Sequence, residues 1–181
     1  VILKMSSPLG RGRLWDRLLE GFADRMTVYV SAGDLRKEFA PVGQPLSWER
    51  TATDVTLAIR DRRDLASARR VVVSLGLSGA LLVERDGPSQ LIFDPLHQEG
   101  DWEGARPGMA SGLGSCITAA LALEAVQAGI PDWQRAIRAG LEAGRALHEG
   151  RLIRPESPSD DGLALPSAMV ARAISGGDDT T

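Results

Sequence analysis

The chain has 181 residues, of which 43% are hydrophobic and 25% are charged, a composition typical of a globular domain with a substantial core. Its formal net charge of −3, with arginines scattered among acids, argues against a dedicated binder of nucleic acid or of anionic membranes. A single cysteine excludes an internal disulfide and fits a cytoplasmic protein. No apolar run approaches the ~20 residues of a membrane span, so we expect no membrane partner.

Apolar residues recur with strand or helix spacing through the first half of the chain. The opening residues, 1–5, have the pattern of a strand, so we interpret the sequence as a fragment whose beginning has been removed. The pattern then predicts a helix at 13–23, a strand at 26–31, a helical turn at 34–39, a helix at 47–60 and a strand at 70–75. The last of these strands is nearly all apolar, as expected for a strand buried on both faces of a sheet.

The second half predicts a β-hairpin, two helices and a tail. The predicted elements are strands at 79–84 and 90–93 around Asp86-Gly87, a helix at 115–127, a helix from Pro131 to Gly150, a linker at 154–162, a short helix at 166–174 and a disordered end at 175–181. In the second long helix, Trp133, Ile137, Leu141 and Leu147 are spaced for one buried stripe. The order predicts one α/β domain at 1–153, a three-layer sandwich with a mainly parallel sheet.

A glycine-rich segment, Gly112-Leu113-Gly114-Ser115, precedes the small-residue helix at 115–127. Unpaired N–H groups and the helix dipole favour an anion at such a position, and glycines let a phosphate approach the backbone. As a motif it is weak: a Walker A loop requires Gly-Lys-Ser/Thr, and a dinucleotide fingerprint requires a glycine where Ile117 stands. A tight turn into a closely packed helix explains the local pattern equally well.

A second glycine element, residues 74–80 (SLGLSGA), follows the predicted central strand at the edge where α/β folds bind ligands. It also approaches the G-x-S-x-G elbow of hydrolases, and Asp94 and His148 would follow in hydrolase order. That elbow requires a helix immediately afterwards, whereas residues 79–84 predict a strand. We therefore favour a ligand-binding turn over a nucleophile.

Isolated reactive residues point to packing rather than to chemistry. Cys116 lies in the first turn of the predicted helix, where a thiol can acidify, but a lone cysteine among apolar residues is more often part of a core. His97 and His148 lack a partner motif, so no metal site is predicted. Three tryptophans on apolar helical stripes are expected in the core: Trp15, Trp48 and Trp133. Trp102 lies in a predicted loop.

Together the two glycine elements resemble the ribokinase-like (PfkB) family of carbohydrate kinases, in which a T-x-G-x-x-G element, a hairpin and a G-A-G-D loop occur in that order. Residues 74–79 match the first element with Ser for Thr, and residues 112–115 stand at the second. Residues 129–150 resemble the helix that follows, and residues 1–5 with Leu14-Trp15 resemble an earlier strand and helix. The resemblance covers about residues 1–153 and corresponds to the C-terminal, nucleotide-binding part of such kinases.

The resemblance implies a ribokinase-like fold and a nucleotide site for ATP or ADP, with Mg²⁺ if the protein is active. Gly112, Leu113 and Gly114 would bind the transferred phosphate, and Gly76 and Gly79 would lie along the nucleotide. Helix residues near Gly140 and Ala143 would border the adenine. The ligand class implied is a nucleotide or another phosphate-bearing small molecule.

The main departure from the family is Ser115, which stands where the family has the aspartate that serves as catalytic base. A serine hydroxyl carries no negative charge near pH 7, and loss of a general base costs about 10²–10⁴ in rate. Asp101 or Glu103 is a conceivable substitute. The substrate-binding first half and its lid strands are also missing from the sequence.

Three functional hypotheses follow. The first is a degenerate kinase domain that binds a nucleotide or phosphate with little phosphoryl transfer and has a regulatory or sensory role. Residues 35–54 favour that role, because they resemble a segment of bacterial multidomain proteins that join a ribokinase-like region to a ryanodine-receptor-type repeat. The second is an active ATP-dependent sugar-type kinase in the intact protein, and the third is a ligand-free interaction module. Other domains of a larger protein, or further copies of the chain, are the expected partners.

Overall fold

The computed structural model describes residues 1–5, 13–32, 35, 48–76, 79–93, 112–148 and 170–174. The strands are β1 (Ile2–Lys4), β2 (Thr27–Ser31), β3 (Arg70–Ser74), β4 (Gly79–Glu84), β5 (Ser89–Phe93) and β6 (Val170–Ile174). The helices are α1 (Arg13–Phe22), α2 (Trp48–Asp61), α3 (Arg63–Ala66), α4 (Leu113–Gln127) and α5 (Trp133–His148). Apart from α3 and β6, each element lies within two residues of the bounds that the sequence predicts.

The strands form one six-stranded sheet in the order β1-β2-β3-β4-β5-β6. The pairs β1–β2 and β2–β3 are parallel, whereas β3–β4, β4–β5 and β5–β6 are antiparallel. The fold is therefore α/β with a mixed sheet. The predicted mainly parallel sheet is correct only for the first three strands: β4 and β5 follow β3 through short connections without a helical crossover, and β6, which comes after α4 and α5, also pairs antiparallel.

Helices pack on both faces of this sheet, and the strand residues alternate between the two. Val28 and Val30 of β2 belong to the core under α1 and α2, whereas Tyr29 between them belongs to the core under α4 and α5. The same alternation continues in β3, since Val71 and Val73 face one way and Val72 faces the other. These strands are buried on both faces, as their nearly continuous apolar sequence predicts.

The carboxyl ends of the parallel strands β1, β2 and β3 lie at one edge of the sheet. Lys4 ends β1, Ser31 ends β2 and Ser74 ends β3. Ser31 and Ser74 are register partners, and Lys4 is the register partner of Tyr29, two residues before the end of β2. This edge is called the carboxyl edge below, and the sequence places the glycine element at residues 74–80 there.

The segment 166–174 does not form the predicted short helix where it is described. Val170–Ile174 is the strand β6, which pairs antiparallel with β5 from Val170 opposite Phe93 to Ile174 opposite Ser89. Its alanine-rich sequence favours a helix, but pairing with a neighbouring strand outweighs that local preference. The sheet therefore includes a strand beyond residue 153, where the sequence places the end of the domain.

The buried stripe that the sequence predicts for α5 is correct only in part. Leu147 is 55% exposed although the sequence predicts it in the buried stripe of α5, and its Cδ2 lies close to Gly112. Ile137 and Leu141 of the same stripe are fully buried, as predicted. The predicted turn at 34–39 lies outside the described residues apart from Leu35, and so do the predicted linker and disordered end.

In the described part of the chain, no helix combines the length and the apolar character needed to cross a membrane.

Candidate functional site

The start of α4 is a glycine turn at the carboxyl edge. Gly112 precedes the helix with φ of 94°, in the left-handed region that favours glycine, and α4 begins at Leu113. The helix therefore begins two residues earlier than the sequence predicts, and Ser115 is its third residue. Gly112 has no side chain to cap the first turn of α4. The N–H groups of a helix start, which have no partner within the helix, leave partial positive charge there.

Lys4 adds a full positive charge to this turn. Its ammonium Nζ donates a hydrogen bond of 3.1 Å to Ser115 Oγ, and its side chain is exposed. Lys4 makes no ion pair with any residue that the structure describes. Among the described residues, this ammonium beside a helix N-terminus has no carboxylate partner, an arrangement that favours an anion.

The register of β1 and β2 explains how Lys4 reaches the helix. Lys4 and Tyr29 stand side by side on neighbouring strands and face the same side of the sheet. Gly114 lies directly over Tyr29, since a Cβ at Gly114 would stand 2.7 Å from Tyr29 Cε1. The first turn of α4 therefore rests on the tyrosine ring, and this contact places Ser115 within reach of Lys4.

Tyr29 also joins the two glycine elements. Its hydroxyl forms a buried hydrogen bond of 2.6 Å with Ser74 Oγ, at the end of β3. Two residues later, Gly76 has φ of 73°, again in the left-handed region. The sequence predicts this edge for residues 74–80 alone, and the structure shows that the start of α4 lies there as well, since Tyr29 contacts both Gly114 and Ser74.

Gly79, the last glycine of the element at residues 74–80, has a structural role. A Cβ at this position would stand 2.6 Å from the backbone oxygen of Ile92 in β5, and the Gly79 carbonyl accepts a hydrogen bond from the N–H of Leu75. Because β4 begins at Gly79, no helix follows the turn. The segment therefore does not form the strand–turn–helix on which the nucleophile of a hydrolase lies, and the hydrolase hypothesis is not supported.

Close packing also accounts for two glycines of α5. A Cβ at Gly140 would stand 2.5 Å from Ile117 Cα, and one at Gly144 would collide with the Leu113 side chain. Gly140, expected to border an adenine, is buried instead against the backbone of α4. Glycines in this half of the chain thus do not by themselves indicate a ligand.

The other candidate site residues from the sequence do not come together in the part of the chain that the structure describes. Cys116 is half-buried, His148 is exposed at the end of α5, and Trp15 is buried in the core as expected. Trp133 packs partly buried against the core under α4 and α5. Several candidates lie outside the described residues, or have side chains that are not described: Leu77, Ser78, Asp94, His97, Asp101, Trp102, Glu103, Ser111 and Trp48. Within the described ranges, no group of three metal-ligating side chains comes together.

Sequence reasoning missed a buried carboxylate between α4 and α5. Glu124 is 8% exposed and accepts hydrogen bonds from the N–H of Asp132 at 2.7 Å and from Arg135 Nη2 at 2.7 and 2.9 Å. The backbone N–H of Asp132, and next the Arg135 guanidinium, hold the pKa of Glu124 below its usual value. All its partners are structural, so Glu124 ties the two helices together.

Sequence reasoning also missed Lys4 as a residue of the candidate site. Its partner Ser115 is 111 positions away along the chain, so no local pattern connects them.

Compared with protein-family models and with curated proteins, the sequence gives no match.

Proposed function

We propose that the chain is a degenerate ribokinase-like domain, a three-layer α/β fold that binds the phosphate group of a nucleotide such as ATP or ADP at the start of α4. The observation that carries the proposal is the hydrogen bond between Lys4 and Ser115 in the first turn of that helix. The order of the two glycine elements along the chain supports the same site, since both end at the carboxyl edge.

Each part of the proposed site has a chemical role. The N–H groups of the first turn of α4 donate to phosphate oxygens, and the helix dipole favours their negative charge. Lys4 supplies a point charge on a flexible stem, so its ammonium can leave Ser115 Oγ and pair with the phosphate. Gly76 and Gly79 would line the path of the nucleotide, as the family resemblance implies.

The same site is poorly equipped for phosphoryl transfer. In the family that the chain resembles, an aspartate at the position of Ser115 accepts the proton of the attacking hydroxyl. The Ser115 hydroxyl donates or accepts hydrogen bonds but holds no charge near pH 7, and it is already bonded to Lys4. We infer a regulatory or sensory role, in which occupancy of the site by a nucleotide is the signal.

Titration with ADP, followed by thermal unfolding, tests the site. Binding to the native state raises Tm as the ligand concentration passes Kd, so we expect millimolar ADP to stabilise the protein. In Lys4→Gln the shift should fall strongly, because loss of a charge-assisted contact weakens binding roughly tenfold or more. Arg13→Gln, which removes an exposed cation of α1, is the matched control and should retain the shift.

Absence of any ADP effect in the wild-type protein would contradict the proposal, as would an equal loss in both variants. Ser115→Asp provides a second measurement. Sugar phosphorylation or ATP hydrolysis that appears with Mg²⁺ in this variant would show that only the base is missing. Comparable turnover in the wild-type protein would instead favour the active kinase.

A further inference from the structure

A pair of buried hydroxyl groups lies at the carboxyl edge. Tyr29 and Ser74 are each 4% exposed, and their side-chain oxygens share a hydrogen bond of 2.6 Å. Tyr29 is otherwise part of the apolar core under α4 and α5, where a phenylalanine ring would fill the same space. Because a buried hydroxyl adds a desolvation cost, packing alone does not explain why this ring carries one.

The hydrogen bond fixes the direction of the Tyr29 ring. Tyr29 stands opposite Val72 in the register of β2 and β3, and Ser74 lies two residues further along β3 on the same face of the sheet. The phenol therefore extends towards the carboxyl ends of the strands, and its far end lies under the first turn of α4. A Cβ at Gly114 would stand 2.8 Å from the phenol oxygen. The height of this turn above the sheet is thus set by a ring that Ser74 holds in place.

Ser74 is also the residue from which the turn of the element at 74–80 departs. The N–H of Leu75 donates a hydrogen bond of 2.9 Å to the Gly79 carbonyl, which closes this turn. Tyr29 is joined to the turn through the Ser74 hydroxyl and supports the start of α4 through its ring. One side chain therefore connects the two parts of the proposed nucleotide site.

We propose that Tyr29 is a positioning residue that sets the spacing between a phosphate bound at the start of α4 and a nucleoside lying along the turn at 75–79. This role rests on the proposed function, in which a nucleotide occupies both places. A nucleotide makes both contacts at once, so its affinity depends on their spacing, whereas a diphosphate without a nucleoside uses only Lys4 and the start of α4. Tyr29 thereby makes the site selective for a nucleotide over a bare diphosphate.

Titrations of the full chain with ADP and with pyrophosphate, monitored by NMR, test this role. Pyrophosphate carries two phosphates without the nucleoside, so the wild-type protein should bind ADP more tightly. Tyr29→Phe keeps the ring and removes the hydroxyl. We expect this variant to bind ADP about three- to tenfold more weakly, the range that one hydrogen bond spans, and to bind pyrophosphate as the wild-type protein does.

Further variants separate spacing from stability. Ser74→Ala should weaken ADP binding to the same extent as Tyr29→Phe, and the double variant should be no weaker than either, because all three break one hydrogen bond. Thr56→Val is the matched control, since it removes another buried hydroxyl, which donates to the Ala52 carbonyl within α2. Whatever its effect on Tm, this control should leave the ratio of the two affinities unchanged.

Wild-type affinity for ADP in Tyr29→Phe would overturn this role and leave the proposed function standing. Equal weakening of both ligands would also overturn it, since Tyr29 would then support the start of α4 without setting a spacing. If the wild-type protein binds pyrophosphate as tightly as ADP, the turn contributes nothing and the role is wrong. Binding of neither ligand would overturn this role together with the proposed function.

Discussion

The two faces of the sheet are covered by helices in different ways. Under α1 and α2 the core is built from large side chains such as Trp15, Met26 and Ile59. Under α4 and α5 the helices approach so closely that glycines stand at the contacts, with Gly140 against Ile117 and Gly114 against Tyr29. Large side chains fill the core under α1 and α2, whereas under α4 and α5 the backbones themselves approach closely at glycines.

This difference changes how the glycine-rich sequence should be interpreted. A run of small residues with glycines is typical of a phosphate-binding loop and its helix, but close helix packing requires the same residues. Glycine content therefore does not distinguish the two. The phosphate-binding proposal therefore rests on the hydrogen bond between Lys4 and Ser115, which close packing of the helices does not require.

The largest effect is expected when a methyl group is added on the closely packed face. Gly140→Ala places a Cβ 2.5 Å from Ile117 Cα and 3.0 Å from its nitrogen, so α4 and α5 must separate. We expect a loss of about 1–3 kcal/mol in the free energy of unfolding, typical of overpacking. Urea denaturation with an unchanged m-value measures it.

Gly21→Ala is the matched change on the other face. Gly21 lies in α1, and a Cβ there would meet nothing within 4 Å. The variant should gain about 0.5–1 kcal/mol, because alanine loses less backbone entropy in a helix. If both alanine variants change stability with the same sign, the contrast between the faces is wrong.

A smaller effect concerns the carboxylate that joins α4 to α5. Because hydrogen bonds lower the folded-state pKa of Glu124, its stabilising contribution is complete at neutral pH and declines as pH falls below about 4.5, its ordinary value. Glu124→Gln should therefore lower Tm at pH 7 and differ less from the wild-type protein near pH 3. A difference in Tm that is independent of pH would show that the carboxylate charge has no part in the contact.

Most elements of this fold could be predicted because their apolar residues follow a strand or helix period. β6 could not, since the alanines of residues 170–174 favour a helix and only β5 provides the pairing partner. The start of α4 was predicted at residue 115, after the second glycine of the element, whereas Gly112 with its positive φ is the residue that precedes the helix.

The candidate site was predictable only in part. The glycine element at residues 74–80 could be assigned to the carboxyl edge from the rule that ligands bind at the carboxyl ends of parallel strands, whereas the position of the start of α4 at the same edge could not. The register that sets Lys4 beside Tyr29 depends on the pairing of β1 with β2, which no local pattern encodes.

A last prediction concerns Gly114 and the tyrosine ring beneath it. Gly114→Ala brings a Cβ to 2.7 Å from Tyr29 Cε1 and 2.8 Å from the hydroxyl oxygen. The end of a side chain yields more easily than the backbone of Ile117, so we expect a loss of only about 1 kcal/mol. In the Tyr29→Leu background, where the ring is absent, the same change should cost little, giving a coupling of about 0.5–1 kcal/mol in a double-mutant cycle. An equal cost in both backgrounds would mean that the helix start, rather than the ring, requires glycine. The close approach would then be confined to the contact of α4 with α5.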